Sequence, residues 1–190
     1  RRVEKAAPAW IERQMQRAVA RYRDIFGEAP RAHAAAGWQT SAHALRLTQR
    51  LGFGFASDTR GMHPFVPVWN GEVTLCPQLP VTLPALDELL GQEGCNVDNV
   101  HERLLALTAQ APATGHVFSL QADLALALQP TVEKLLEGWP RQGYEIVSLG
   151  NLYESIDASR LPRHELVRGT VEGRVGSLML QGPEFLATKP

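Results

Sequence analysis

The fold is decided by one stretch in which an apolar run ends in polar residues and then in a proline, Gly52-Phe53-Gly54-Phe55-Ala56-Ser57-Asp58-Thr59-Arg60-Gly61-Met62-His63-Pro64-Phe65. A short apolar run between glycines is typical of a buried strand in a parallel sheet. Ligands of such sheets bind beyond the carboxyl ends of the strands, where Asp58, Arg60 and His63 fall. The stretch therefore predicts a functional site directly after a buried strand.

The residues before this strand predict a strand-helix-strand unit that follows an amphipathic helix. Pro8 begins a helical pattern with apolar residues on one face and arginines on the other, and Gly27 ends it. Residues 31–38 predict a strand that leads into a site loop. Thr40 or Ser41 can cap the next helix. The inward face of that helix is formed by Leu45, Thr48 and Leu51.

Helices and strands alternate further along the chain. Predicted strands cover 73–76, 116–120 and 144–149. A short helix is predicted at 86–90, a longer helix that Asn96 or Asp98 can cap reaches Leu107, and Pro130 starts a third helix. Pro64 and Pro67 predict an irregular path before residue 73. Glycine-rich, alternating residues 166–180 predict a small antiparallel C-terminal β appendage. The pattern predicts an α/β fold, either a parallel sheet or a partial barrel, because a complete eight-unit barrel takes about 250 residues.

Composition and charge restrict the class of protein. The 190 residues are 44% hydrophobic and 21% charged, as expected for one compact domain. A net charge of -1 without a dense run of lysines or arginines argues against a nucleic-acid partner. Isolated Cys76 and Cys95 predict reduced structural thiols and a cytoplasmic protein. The chain begins at Arg1 without an initiator methionine, so we expect the remainder of a longer protein.

A membrane-spanning segment is not expected, since no apolar stretch approaches the length of about 20 residues that a spanning helix needs. Peripheral membrane contact stays open, because the basic face of the first helix can meet an acidic lipid surface. A solvated arginine face is the commoner alternative.

Asp58 and Arg60 are the first candidates for chemistry. An aspartate can orient a catalytic group, and an arginine can anchor an anionic part of a substrate. Loops at strand exits carry functional residues disproportionately, which favours this interpretation. The alternative is a structural ion pair that the two side chains form around a turn.

His33, His63 and Trp38 are candidate substrate contacts. The two histidines lack the local spacing of metal ligands, and hydrogen-bonded structural histidines are the alternative. Trp38 can stack on a sugar ring or a prenyl chain, or it can be buried for packing. Gln121 follows the predicted strand 116–120 and can form hydrogen bonds, but it cannot act as an acid at neutral pH.

Four ordered motifs carry a resemblance to a known family: Ala34-Ala35-Ala36-Gly37-Trp38, Ser57-Asp58-Thr59-Arg60-Gly61, Pro64-Phe65, and Gln78-Leu79-Pro80-Val81-Thr82-Leu83-Pro84 followed by Asp87-Glu88. From about Pro8 to Leu152 the chain resembles the later half of proteins in the polysaccharide deacetylase superfamily. Within it, the chain is most similar to the 4-deoxy-4-formamido-L-arabinose-phosphoundecaprenol deformylase family. Several motifs in order are more specific than any one of them.

The resemblance implies a partial, distorted (β/α) barrel of the polysaccharide deacetylase type over 1–160 and a C-terminal extension over 161–190. It also implies a divalent metal, which is zinc, cobalt or manganese, held by one aspartate and two histidines, with a second aspartate as base. In the family these residues precede the region that this chain matches, and no motif here corresponds to them. We therefore predict no metal ligand in this chain and expect the metal only together with an N-terminal half.

The resemblance places three candidate catalytic residues. Asp58 and Arg60 match the family's orienting aspartate motif, and Trp38 lies beside the site. Gln121 stands where the family has a histidine that protonates the leaving amine. Loss of a general acid typically costs about 100- to 10,000-fold in rate.

Two functions follow as expectations. The first is a metal-dependent hydrolase, a C–N amide hydrolase that removes a formyl or acetyl group from an amino sugar, with a lipid-linked 4-formamido-arabinose as one candidate substrate. The second is a catalytically weak or inactive sugar-binding domain of the same fold. The resemblance implies an undecaprenyl-phosphate-linked sugar as partner, a role in lipopolysaccharide and lipid A modification, and the cytoplasmic face of the inner membrane as location.

Overall fold

A computed structural model of the chain describes residues 3–112 and 114–186. These residues form a mixed α/β structure with seven α-helices and two small β-sheets, and they do not form a closed barrel. The predicted α/β class is therefore confirmed.

The helices and strands are short apart from the first and sixth helices and the C-terminal strand pair. The α-helices are α1 Pro8–Phe26, α2 Ala42–Arg50, α3 Leu86–Leu89, α4 Val100–Leu107, α5 Ala122–Ala127, α6 Gln129–Arg141 and α7 Leu149–Glu154. The strands are β1 Ala32–His33, β2 Phe55–Ala56, β3 Val66–Trp69, β4 Glu72–Val73, β5 Arg163–Gly169 and β6 Leu178–Glu184. Short 3-10 helices cover Val3–Lys5, Ala36–Trp38 and Ala158–Arg160.

Helices α1 and α2 form as their sequences predict. Gly27 follows α1 with a φ of 76°, a left-handed conformation that glycine adopts without steric cost. Ser41 caps α2, since its hydroxyl oxygen accepts a hydrogen bond of 3.2 Å from the Ala44 N–H. The two helices share a buried cluster that includes Ile11, Met15, Ala44 and Leu47. The inward position predicted for Leu51 is wrong, because this residue follows the last turn of α2 and is 39% exposed.

The stretch that decides the fold forms β2 and an extended continuation. Strand β2 pairs in parallel with β1, with Ala32 opposite Phe55 and His33 opposite Ala56. After Ala56, residues 57–61 run between two other extended segments, 78–81 on one side and 179–181 on the other. Backbone hydrogen bonds to both sides fix this segment, so the side chains after β2 have defined positions.

The second sheet has the strand order β4-β3-β5-β6. The predicted C-terminal antiparallel pair is present as β5 and β6, but β5 also pairs in parallel with β3, so the pair is integrated into a larger sheet. Sequence reasoning missed β3, because Pro64 and Pro67 indicated an irregular path. A proline has no N–H to donate to a neighbouring strand. Pro67 is tolerated in β3 because the N–H that bonds to the neighbouring segment belongs to Val66, which donates to the Pro162 carbonyl.

The strands predicted at 116–120 and 144–149 are wrong. Residues 116–120 do not form a strand, and the Val117 carbonyl accepts hydrogen bonds from the N–H groups of Thr82 and Leu83. Residues 144–148 are irregular, with Ile146 52% exposed, and Leu149 already begins α7. Apolar, β-branched residues produce the strand pattern, but a ladder also needs a paired neighbour along its length.

Prediction on Gly173: replacing it by alanine should destabilise the protein more than the same change at Gly176. Both glycines have a left-handed φ, 78° and 91°, but a Cβ atom at Gly173 would lie 2.0 Å from the Glu88 carbonyl oxygen, whereas Gly176 has nothing within 4 Å. We expect a loss of about 1–2 kcal/mol for Gly176→Ala and about 3 kcal/mol or more for Gly173→Ala. Urea unfolding of both variants measures the difference, and equal losses would contradict the close approach of residue 173 to α3.

Candidate functional site

The ends of β1 and β2 bring His33 and Asp58 together. His33 Nδ1 lies 2.7 Å from Asp58 Oδ1, and the Asp58 side chain is completely buried while that of His33 is 22% exposed. The Asp58 N–H donates to Gln78 Oε1 at 2.9 Å. Asp58 Oδ2 is buried without a hydrogen-bond partner among the described residues. A buried carboxylate oxygen of this kind is expected to accept a bond from a group outside them.

Asp58 changes the titration of His33. Burial by itself would lower the pKa of His33, but the hydrogen bond to the Asp58 carboxylate and its negative charge outweigh burial, so the pKa lies above its ordinary value. Asp58 therefore orients the His33 ring and favours its protonated form. Such a pair can hold a proton at a defined position.

Arg60 is buried and pairs with Glu88. Its Nη1 donates to both Glu88 carboxylate oxygens at 2.8 Å, Nη2 donates to the Leu83 carbonyl at 2.9 Å and Nε donates to the Val81 carbonyl at 3.2 Å. Burial alone would raise the pKa of Glu88, but the bonds from Arg60, Arg174 and the Ala85 N–H hold it below its ordinary value.

Asp58 and Arg60 therefore do not form the ion pair that sequence reasoning offered as the structural alternative. Asp58 pairs with His33 of β1, whereas Arg60 pairs with Glu88 of α3. The two side chains therefore bond to different neighbouring segments, although they are alternate residues of one extended segment. Arg60 is 8% exposed and its guanidinium is occupied by protein groups. Its role as a direct anchor for substrate stays a prediction.

Trp38 is buried beside this charge cluster. The guanidinium carbons of Arg60 and Arg174 lie 4.8 Å and 4.7 Å from the ring centroid. Trp38 has a φ of 53° and the preceding Gly37 a φ of 62°, so two successive residues adopt the left-handed conformation. This is unfavourable for tryptophan, and backbone strain of this kind occurs preferentially at functional sites.

A cleft of about 500 Å³ lies at the carboxyl ends of β1 and β2. Its walls are formed by residues 34–38, Ser57, Val81, 117–119, Gln121, Leu149 and Arg174. Two of the predicted site residues, Trp38 and Gln121, thus line the same cavity although 83 positions separate them (121 minus 38). Gln121 lies directly before α5 and its side chain is exposed.

His63 lies apart from this cleft. Its Nδ1 donates to the Pro64 carbonyl at 3.1 Å, and its ring contacts the side chains of Gln181 and His164. These neighbours belong to β5 and β6. The geometry matches a hydrogen-bonded structural histidine, and the contact of His63 with substrate stays a prediction.

Sequence reasoning missed Arg174 and the partnership of Glu88. Glu88 belongs to the quoted motif after Pro84, but nothing in the sequence connects it with Arg60. Arg174 lies in a glycine-rich segment, and its Nε donates to Glu88 Oε1 at 2.8 Å across 86 positions. The sequence carries no signal for this partnership, because the left-handed conformation of Gly173 and its close approach to Glu88 are visible only in the structure.

The described residues do not fit a complete metal centre. Within 3–112 and 114–186, no three His, Cys, Asp or Glu side chains converge as a metal site requires.

Burial raises the pKa of the Cys76 thiol to about 12, so Cys76 is protonated at neutral pH and is not a nucleophile.

None of the helices within 3–112 and 114–186 is both long enough and apolar enough to cross a membrane.

Comparison with curated proteins finds relatives with one shared name. The chain is 27% identical over 175 residues to a probable 4-deoxy-4-formamido-L-arabinose-phosphoundecaprenol deformylase ArnD of Shewanella sediminis (strain HAW-EB3). This alignment covers 92% of this chain and 55% of the relative. The chain is 24% identical over 150 residues to a protein of the same name from Wigglesworthia glossinidia brevipalpis, which covers 78% of this chain and 51% of the relative. No family model matches the chain.

These relatives are deformylases by name. They support the resemblance to that deformylase family at moderate identity. The chain spans about half the length of the curated relatives that it matches. The alignment with the Shewanella sediminis protein covers 92% of this chain, so the segments that form the cleft belong to the region of similarity.

Prediction on the His33 titration: Asp58→Asn should lower the pKa of His33 and flatten the dependence of stability on pH. Because the folded pKa of His33 is raised, its contribution to the free energy of unfolding is complete below about pH 6.5 and is lost as the pH rises through the folded value. NMR titration of the His33 ring and urea unfolding at several pH values measure both effects. The control Glu72→Gln removes an exposed carboxylate that pairs with Arg46 and should leave the His33 pKa unchanged.

Prediction on the buried ion pair: Arg60→Met should lower the free energy of unfolding by about 3–5 kcal/mol, because it leaves the buried Glu88 carboxylate without its main partner. The double variant Arg60→Met, Glu88→Met should recover part of this loss. The control Arg46→Met breaks an exposed pair and should change the unfolding midpoint little. A small effect of Arg60→Met would mean that the pair is not formed in solution.

Proposed function

We propose that this chain is part of a hydrolase that removes a formyl or acetyl group from an amino sugar. The observation that carries this proposal is the similarity to relatives named deformylases over the segments that form the cleft. A 4-formamido-arabinose linked through phosphate to a prenyl lipid is the candidate substrate, since the name of both relatives specifies it. The partial, distorted barrel of the polysaccharide deacetylase type belongs to the same proposal.

The cleft suits a sugar with a small acyl group. Its size of about 500 Å³ falls within the range of about 300–1,000 Å³ that small-molecule sites occupy. Residues 34–36 are alanines and leave space near the strand ends, while Ser57, Ser119 and Gln121 offer hydrogen-bonding groups to sugar hydroxyls. Trp38 contributes an apolar surface at one side.

Amide hydrolysis joins a water oxygen to the acyl carbon, breaks the C–N bond and transfers a proton to the leaving amine. In this proposal, Asp58 and His33 hold a proton and a negative charge in fixed positions near the strand ends. The Arg60 guanidinium, which Glu88 holds in place, lies against the Trp38 ring. These residues position the substrate and its surroundings, and the proposal assigns no bond-breaking step to them.

A divalent metal, which is zinc, cobalt or manganese, is part of the proposal and needs ligands from outside the described residues. The side chains described here do not supply a complete ligand set. When bound, such a metal would supply an activated water for the attack on the acyl carbon.

A second candidate function is sugar binding with weak or no catalysis. The observation that favours it is Gln121, which lines the cleft and cannot donate a proton to a leaving amine at neutral pH. Such a module would recognise the same sugar without turning it over at a useful rate.

Location at the cytoplasmic face of the inner membrane is also part of the proposal. The relatives' name specifies a lipid-linked sugar, which would bring the protein to a membrane surface. Arg13, Arg17 and Arg21 are exposed on α1, one turn apart, and Phe26 at its end is 62% exposed. A basic face with an apolar end suits peripheral contact with acidic lipids.

The proposed function is tested with the natural polypeptide that contains this chain. Purified protein is incubated with N-formyl and N-acetyl 4-aminoarabinose derivatives, with zinc, cobalt or manganese added, and released formate or acetate is measured by NMR. Release of formate supports the hydrolase. Binding of the sugars without any acyl release under all three metals would favour the second candidate and overturn the first.

Prediction on Gln121: Gln121→His should raise turnover by up to about 100-fold if amine departure limits the rate, because histidine supplies an acid that titrates near neutral pH. The gain should decrease as the pH rises through the pKa of the new histidine, since only the protonated ring donates. A pH-rate profile of parent and variant measures this. The control Gln129→His places a histidine on α6, where Gln129 bonds to Glu133, and should give no gain. A fast parent that Gln121→His leaves unchanged would show that Gln121 does not limit catalysis.

A further inference from the structure

The cleft has a single charged side chain in its wall. Of the described residues that line it, Arg174 is the only ionisable one, and the others are alanines, a glycine, apolar side chains, two serines and Gln121. We infer that Arg174 is a substrate-contacting residue that binds the phosphate group of a sugar phosphate in this cleft. This inference rests on the proposed function and adds the residue that selects an anionic sugar.

The Arg174 guanidinium is held in place before any ligand arrives. Its Nε donates to Glu88 Oε1 at 2.8 Å, its Nη2 lies 3.2 Å from Asp87 Oδ2, and its carbon lies 4.7 Å from the Trp38 ring centroid. Gly173 brings the backbone against the Glu88 carbonyl, where no side chain would fit. An arginine fixed in this way loses little conformational freedom when it binds an anion.

The neighbouring charges leave Arg174 available for a further anion. Glu88 accepts two bonds from Arg60, so its negative charge is shared between two arginines. Asp87 is 42% exposed in its side chain, and its interaction with Arg174 is screened by water. Trp38 and the apolar wall exclude water from one side of the guanidinium, which strengthens an electrostatic bond formed there.

A phosphate is the anion that this geometry fits. Arg174 Nε and one N–H of Nη2 bond to Glu88 and Asp87, so the edge formed by Nη1 and the second N–H of Nη2 can match two phosphate oxygens. Arginine is enriched where such recognition occurs. The neutral polar groups of the cleft suit sugar hydroxyls, so the two parts of a sugar phosphate have matching partners in one cavity. The phosphate can be a free monoester or a diester to a prenyl chain, and both present the same oxygens to Arg174.

Binding measurements test the inference without requiring catalysis. Calorimetry with the natural polypeptide compares arabinose 1-phosphate, a short-chain prenyl phosphate diester of arabinose, and neutral methyl arabinoside. We expect the parent to prefer the phosphates over the neutral glycoside. Arg174→Gln should weaken phosphate binding by about 10- to 100-fold and leave methyl arabinoside unchanged, because only the charged contact is lost. Arg174→Lys should retain part of the preference, and added salt should weaken phosphate binding to the parent.

The matched control is Arg168→Gln, which removes a guanidinium located 6.0 Å from the Trp69 ring and outside the cleft. It should leave all three affinities unchanged. Dependence on Arg174 for the monoester alone, or for the diester as well, supports the inference and identifies the phosphate source. Absence of a phosphate preference in the parent, or equal phosphate affinity in parent and Arg174→Gln, overturns it. Acyl release is assayed separately, so the proposed function can fail while Arg174-dependent binding stands.

Should Arg174→Gln fail to fold, the charge-retaining Arg174→Lys variant and the salt dependence of the parent carry the test. A parent whose phosphate affinity is insensitive to salt, with an Arg174→Lys variant that binds phosphate as the parent does, would also overturn a specific guanidinium contact.

Discussion

The site depends on the buried guanidinium of Arg60. Its nitrogens donate to the carbonyls of Val81 and Leu83 and to both oxygens of Glu88, so one side chain joins the continuation of β2 to a neighbouring loop and to α3. Buried carbonyl and carboxylate oxygens that lose a donor cost free energy, which makes these four bonds interdependent. Because Glu88 also accepts from Arg174, the C-terminal segment is positioned through the same charge.

Charges are distributed unequally around the cleft. Asp58, Arg60 and Glu88 are buried and do not line the cleft. Asp58 bonds to His33, and Glu88 bonds to Arg60 and Arg174. Arg174 is the one charged side chain among the described residues of the cleft wall. A single unsatisfied oxygen, Asp58 Oδ2, is the exception among the described buried carboxylates. The buried charges therefore stabilise the shape of the cavity, and the wall residues meet whatever enters it.

Local sequence signals predicted part of this structure and long-range pairing decided the rest. Helix α1 and the cap of α2 could be predicted because periodicity, a proline and a capping serine act over a few residues. Strand β3 and the irregular 144–148 could not, because pairing with distant segments overrides local propensity. The resemblance assigned Trp38 and Gln121 separately to the site, and both line the cleft, but the bonds of Glu88 to Arg60 and Arg174 have no local signature in the sequence.

The left-handed backbone at Trp38 has a consequence for how this position can change. Asparagine or glycine would relieve the backbone, since both tolerate a positive φ, yet either would remove the aromatic surface against which two guanidinium groups lie. Backbone preference and side-chain packing thus favour different residues at the same place. Either substitution would relieve the backbone and leave a larger and more polar cavity. Loss of the ring would then alter ligand selection, while the free energy of unfolding would change less than the burial of Trp38 implies.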